Sequence, residues 1–562
     1  MSSKRQSPAF INTRPLRLGS AALLSGLVGV VSASAQDHDF RTVPGNLLLS
    51  RSVYDNKATN VTVGESLPPG CIPANCVTAQ SNGTFPSVFN NALIDGSFGI
   101  TSKILLDQLT PWGETISTYE VPNSSQRYVT TTADQLVTSF SSKSELSLHL
   151  STDGRHVTFV GYLAPVDALD VSNSNTPGDL DSTNPVPGAY YRVVADLDTE
   201  GDLQLTATNA YSGDNGRASI LHPFGQTNLI YAAGNAGNGS NPQPPGILLG
   251  AGAQILTEAN VPLAKQNPGQ PTPVGSFNIT ELPANKKTDK LGKDDNFRGL
   301  TVYNNVVYYT KGSGSNGINT VYFIDTTGTN AAGNPLACPN GTGLPNPAAQ
   351  LPTAPLSYVV ANLQTTGLPN NMCVLNGFNT VLAKTSTNSF PFGLWFANET
   401  TLYVADEGDG TATYASGTYT AAASSTTAGL QKWIFNKALG EWQLAYTLQS
   451  GLDLGVPYTV AHYPTGTNTA TGLPWSPATD GLRNLTGRVD PDGTVTIWAI
   501  TSTVSGGGDQ GADPNKLVKI VDKLDATTLP AQEKFTTLKT AAFAEVLRGV
   551  SFTPGTGLFK TP

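Results

Sequence analysis

Along most of the chain, apolar positions come in short β-branched and aromatic runs separated by clusters of Gly, Asn and Asp. The three-to-four-residue spacing of long amphipathic helices is nearly absent, so the pattern predicts an all-β protein. The runs recur in a fixed order, clearest at 297–326: FRGLTVY, then NVVYYTKG, then a Ser/Gly/Asn turn, then INTVYFID. The order returns at 390–448 (FPFGLWF, TLYVADEG, a polar insertion, LQKWIF, EWQLAYTL) and at 482–522 (LRNLTGRV, TVTIWAITS, a Gly-rich insertion, KLVKIVD). It returns again at 144–209 (SELSLHLS, HVTFVGYL, an insertion, YYRVVADLD, DLQLTATN), with a fainter copy from Arg217 (RASILHP, NLIYAAG).

Successive runs are labelled strands A to D. A four-stranded antiparallel unit repeated at this interval predicts a β-propeller. The N-terminal part supplies B-, C- and D-like strands (NLLLSRSVY, KILLDQLT, TISTYEVP) but no A strand. The run Leu547-Arg548-Gly549-Val550-Ser551-Phe552 near the C-terminus repeats the A-type start Phe297-Arg298-Gly299-Leu300. The C-terminal strand is therefore expected to join the N-terminal blade and close the ring, which removes both sheet edges. Counting A strands predicts six blades. Seven is the alternative, because 235–290 and 450–480 carry no clear assignment, and 531–547 reads as a short helix.

The A–B–C–D order and the run Leu402-Tyr403-Val404-Ala405-Asp406 resemble the six-bladed NHL-repeat, gluconolactonase/SMP-30-like and strictosidine-synthase-like propeller superfamily. The chain also resembles a group of exported bacterial propeller-type proteins without an assigned activity. The gluconolactonase-like resemblance implies a catalytic calcium held by Glu, Asn and Asp at inner-strand starts. Here the positions that match are Glu145, Asn484 and Asn296, whereas Arg fills most inner-strand starts. Cations beside a calcium site oppose the metal, so this chain departs from that pattern.

Composition fits a folded, exported chain. Of 562 residues 39% are hydrophobic, which excludes a disordered chain, and only 13% are charged, against about 25% in ordinary domains. Residues 1–35 read as a signal peptide: basic Lys4, Arg5, Arg14 and Arg17, an apolar core from Ala21 to Ala33, and the Ala33-Ser34-Ala35 cleavage signal. Residues 36–562 are then one propeller domain, periplasmic or extracellular, with no membrane span. Removing the four basic residues takes the net charge from −9 to −13, which argues against nucleic acid as a partner. An oxidising compartment suits two local disulfides, Cys71–Cys76 and Cys338–Cys373.

In a propeller the D-to-A and B-to-C connections emerge on one face. The long insertions (55–101, 164–188, 407–427, 502–514) are B-to-C, so one face is heavily decorated. Four A-strand starts carry Arg217, Arg298, Arg483 and Arg548, with Lys143 near a fifth, Phe392 at the sixth and Lys311 at the end of a B strand. A ring of guanidinium groups makes an anion site. Equally, Asp294, Asp295, Asp480, Asp214 and Glu545 lie close enough in sequence for the arginines to be inter-blade ion pairs. The insertion with Asp167, Asp170, Asn173, Asn175, Asp179 and Asp181 offers hard oxygen ligands for Ca2+, as do the smaller groups Asp406, Glu407, Asp409 and Asp509, Asp513; the same residues also simply make turns. Glu145, His149 and His222 are the candidate acid/base groups. The tryptophans Trp395, Trp433, Trp442 and Trp498 fall inside strands and read as packing. No nucleophile elbow, P-loop, dinucleotide fingerprint or zinc-protease motif occurs.

Three readings of function follow. The first is binding of a small anionic or polar ligand, or a partner, at an Arg-rimmed channel mouth. The second is a propeller hydrolase or lyase, with calcium as a candidate cofactor. The third is a non-catalytic surface or assembly protein using the decorated face.

Overall fold

Six antiparallel sheets, five of four strands and one of four strands plus a short fifth at Thr138–Ser139, account for the repeat. The computed structural model describes residues 40–557 apart from 68–76, 86–98, 143, 170–189, 209, 212–213, 236–251, 259–274, 278–280, 283–285, 288–295, 315, 327–348, 354–371, 386–388 and 508–510. The expected signal peptide, Lys143, Cys71, Cys76, Cys338, Asp170 to Asp181, Asp294, Asp295 and Asp509 lie outside the described residues. Among the described residues, the α-helical content is one turn, Thr420–Ser424.

The sheets are the blades of a six-bladed β-propeller. In blade 2 strands A to D are His149–Leu150, Val157–Tyr162, Arg192–Leu197 and Leu203–Thr208. In blade 3 they are Gly216–His222, Leu229–Gly234, Ala253–Thr257 and Gly275–Phe277. Blade 4 has Gly299–Tyr303, Val306–Lys311, Thr320–Ile324 and Met372–Val374. Blade 5 has Pro391–Asn398, Thr401–Asp406, Gly429–Asn436 and Glu441–Leu448. Blade 6 has Ala478–Val489, Thr494–Val504, Lys516–Lys523 and Thr536–Thr540.

Blade 1 closes the ring as the sequence pattern predicts. Its A strand is Glu545–Phe552, followed in the sheet by Leu47–Val53, Thr101–Leu109 and Thr115–Glu120. Leu47 faces Phe552 and Leu49 faces Val550 across the closing pair. The alternative of seven blades falls away, because the region 235–290 supplies the C and D strands of blade 3. The helix expected in 531–547 is also corrected. Thr536–Thr540 pairs with Lys516–Lys519 as the outer strand of blade 6, and its three threonines favour an extended edge over a helix.

Apolar faces of neighbouring blades pack on each other. Phe159, Ile104 and Leu148 join blades 1 and 2, and Val160, Leu221 and Ile230 join blades 2 and 3. Tyr309, Phe396 and Trp442 belong to a core that runs through blades 3, 4 and 5. Tyr403 and Ile497 join blades 5 and 6, and Trp498 and Phe552 seal blade 6 against blade 1. The inner strands crowd the axis. A Cβ on Gly299 would overlap the carbonyl of Phe392 in the next blade, and one on Gly549 would overlap that of Leu146. This close approach explains why Arg is followed by Gly at two A-strand starts.

Candidate functional site: the two ends of the central channel

The A strands start on the decorated face and run along the axis, so their first residues line the channel at that end. Arg217, Arg298, Arg483 and Arg548 are all there and all buried, with 4–6% of their surface exposed. They are not equivalent. Arg548 donates to Ser52 Oγ (3.1 Å) and to the carbonyls of Phe140 and Ser142, tying blade 1 to the lead-in of blade 2. Arg483 pairs with Glu407 (3.2 Å), tying blade 6 to blade 5. Both act as the inter-blade pins weighed from sequence, but with other partners. Glu407 stands where Asp480 was expected, and Glu545 pairs with Arg51 instead of Arg548.

Arg217 and Arg298 differ. Arg217 donates to Asn296 Oδ1 and to Phe297 O (2.8 Å). Arg298 donates to Ser144 Oγ of blade 2 (2.8 Å), past the intervening blade 3, and to Ser313 Oγ. Among the described residues neither has a carboxylate within ion-pair distance, and the Nε–H of each is buried without an acceptor. Burial, together with repulsion from Arg217 and Arg483, lowers the Arg298 guanidinium to about 9, while Glu407 and Asp214 oppose the shift. Arg217 is lowered too, by burial, against the pull of Asp214, Glu145 and Glu407. Both stay charged at neutral pH. Lys311 is buried and donates to Ser313 O (2.9 Å) and Asn319 Oδ1 (3.0 Å), which ties down its own B-to-C connection.

Glu145 is at this end, but its carboxylate is occupied. It accepts from Thr138 Oγ1 (2.8 Å), Ser139 N (3.1 Å), Asn215 Nδ2 (2.7 Å) and the Tyr162 hydroxyl. Four donors, from the lead-in of blade 2, from its B strand and from the residue before blade 3, make it a buckle. Asn484 Oδ1 accepts from Val550 N (2.6 Å) and Asn296 Oδ1 accepts from Arg217. The oxygens that the resemblance assigns to a channel calcium are thus spent on protein donors beside two guanidinium groups, and this donor set does not fit the ion.

Of the candidate ligands in the insertion read as a calcium loop, only Asp167 is described. It accepts from Lys57 Nζ (3.1 Å) and Asn60 Nδ2 (3.3 Å). Asp406 accepts the amides of Phe390 (2.8 Å) and Gly408 (3.0 Å), and Asp513 accepts the Tyr463 hydroxyl (2.6 Å). Burial raises both carboxyls to about 6. Among the described residues no group of three or more His, Cys, Asp or Glu is placed to hold a metal. Cys373 is buried on strand D of blade 4 and is not a free thiol.

His149 and His222 are elsewhere. His222 ends its A strand, five residues beyond Arg217 or about 16 Å along a strand, and His149 lies in the two-residue A strand of blade 2. A general base serving the Arg end is therefore excluded for these two side chains. Instead they line a cavity of about 560 Å3 at the opposite end of the channel, to which all six A strands contribute. Burial lowers His149 to about 4. Burial also lowers His222, whose Nδ1 lies 2.8 Å from Thr152 Oγ1. Trp395 lines the same cavity and is half-buried, so it is not only blade packing. Trp442 and Trp498 are fully buried, and Trp433 stacks on Phe378 at 3.9 Å.

Sequence reasoning missed Ser144, Asn296 and Ser313 as the neutral acceptors of the two unpaired arginines. The readable signal was position: Asn296 lies three residues before an A strand, and Ser313 two residues after a B strand, on the face where those connections meet.

No family model and no curated protein matches the chain. Among solved structures, it is similar to an α-L-arabinofuranosidase from Fusarium graminearum (11% identity, 87% of this chain and 99% of that one, TM-score 0.32). A Synechocystis apocarotenoid oxygenase is similar over 92% of this chain and 94% of its own, at 10% identity and TM-score 0.30. An acylaminoacyl peptidase matches over 84% of this chain at 8% identity and TM-score 0.26, and the match spans 45% of the peptidase. At these levels the propeller rests on the strand pairing described above, not on the likeness.

Proposed function

We propose that this propeller binds a small anionic ligand, a carboxylate or phosphate, between Arg217 and Arg298 at the decorated end of the channel. One observation carries the reading: among the described residues, two buried guanidinium groups hold only neutral acceptors and keep an Nε–H each without a partner. A buried charge without a counter-charge is costly, and an anion entering between the two would offset that cost. Arg supplies the planar fork that matches carboxylate and phosphate oxygens. Arg483 is neutralised by Glu407 and shapes the electrostatics of the site without being its main contact.

The reading extends to the whole chain. We take residues 1–35 as a signal peptide, the mature form as starting at Gln36, and Cys71–Cys76 and Cys338–Cys373 as its bridges. N-terminal sequencing and non-reducing peptide mapping of the exported protein test these assignments.

Thermal unfolding of residues 36–562 at constant ionic strength tests the anion site, with chloride, acetate, citrate and inorganic phosphate as probes. A ligand that binds only the native state at a hundred times its Kd adds about 2.7 kcal/mol. Phosphate also stabilises proteins non-specifically, so the readout is the difference between wild type and Arg298→Met. The expected result is an anion-dependent rise of the midpoint that this variant loses. An equal rise in both proteins refutes the site. Ca2+ in the same series tests the Asp167 insertion.

A further inference from the structure

The far end of the channel differs in chemistry from the Arg end. None of the described residues lining its cavity carries a formal charge at neutral pH, because burial keeps both histidines neutral. The volume, about 560 Å3, is in the range of small-molecule sites. Uncharged polar side chains (His149, Thr301, Asn305, Thr486) share the wall with the rings of Tyr303 and Trp395. His149 Nδ1 is buried and has no hydrogen-bond partner among the described residues.

Two features look built. The indole of Trp395 lies against blade 6 at Gly487, where a Cβ would come within 2.7 Å of the ring. Any other residue at 487 would push the indole off its seat. In blade 4, Asn304 and Asn305 form the A-to-B turn with φ of 43° and 64°. A two-residue turn of this kind needs both residues left-handed, which Asn tolerates, and it places the Asn305 amide at the cavity rim. Tyr303, just before the turn, is stacked on Phe396 at 5.0 Å.

We propose that this cavity binds a neutral saccharide, with a sugar face laid on Trp395 and its hydroxyls met by the uncharged polar wall. A charged ligand would lose its hydration here with no counter-charge in return. A purely apolar ligand would leave the polar wall groups unpaired. A polyol ring with one C–H face satisfies both kinds of wall at once. The site is independent of the anion site and stands or falls without it.

Isothermal titration calorimetry of the chain from Gln36 with glucose, galactose, cellobiose and glucuronate tests the inference. A neutral sugar is expected to bind, and glucuronate to bind more weakly than glucose. Trp395→Ala is expected to weaken binding about tenfold or more. Asn305→Gly keeps the left-handed turn, so it leaves the fold intact, and it is expected to weaken binding about threefold or more. Arg298→Met is expected to bind sugar as wild type does. The inference is overturned if no neutral sugar binds at tens of millimolar, if glucuronate binds as tightly as glucose, or if both cavity variants bind like wild type.

Discussion

Asp513 illustrates how a single buried side chain can set a pH response. It is 1% exposed, accepts the Tyr463 hydroxyl, and is raised to about 6 by burial, with Arg483 pulling the other way. An acid whose folded pKa lies above its unfolded value favours the native state only while protonated. Its contribution is full below about pH 4 and is lost as the pH rises through about 6. Two pKa units correspond to about 3 kcal/mol. Asp513→Asn, neutral at every pH, is expected to gain stability relative to wild type as the pH rises from 4 to 7. Denaturant midpoints of both proteins across that range measure it, and a pH-independent difference would refute the assignment.

At the scale of strands, ring closure is the decisive feature. Glu545–Phe552 contributes the inner strand of blade 1, and Arg51 clasps it by bridging Asp107 on the C strand (2.9 Å) and Glu545 on the A strand. Without it, Leu47, Leu49 and the Trp498–Phe552 contact lose their cover, and blade 1 shows an open apolar edge. Truncation after Ala544 is expected to abolish cooperative unfolding and drive aggregation. Size exclusion and circular dichroism check this, and a peptide of residues 545–562 is expected to restore monomeric protein when added during refolding. The closure was legible in the sequence because Leu547-Arg548-Gly549 repeats Phe297-Arg298-Gly299, a pair that the same crowding at the axis requires in both blades. The outer strand at Thr536–Thr540 was not legible, since an edge strand has no alternating burial to betray it. Nor was the shortness of strand A in blade 2. The run 144–151 alternates like a full strand, but Leu146 turns left-handed (φ 62°) where its carbonyl meets Ser50 Oγ (2.8 Å), leaving only His149–Leu150 in the ladder. The Arg positions were readable from strand phase. Which arginines lack counter-charges was not, because Glu407 and Ser144 reach them from other blades.

For the whole molecule, the question is whether the two ends of the channel work together. Both are built on the same six inner strands, with the guanidinium groups at one end and the uncharged cavity about 16 Å away at the other. Except in blade 2, where the left-handed turn at Leu146 interrupts the inner strand, the intervening stretch is strand backbone held by blade-to-blade cores on both flanks. Sites that far apart on a rigid frame, sharing no partner groups, contribute additively to within about 0.3–0.5 kcal/mol. Phosphate at the Arg end and a neutral sugar at the other are therefore expected to stabilise the protein by the sum of their separate effects. Each is expected to leave the affinity of the other unchanged within about twofold. Calorimetric titration of one ligand in the presence of saturating amounts of the other measures the coupling. A tenfold change in either affinity would mean that the inner strands shift as a unit along the axis, and that the propeller transmits occupancy from one face to the other.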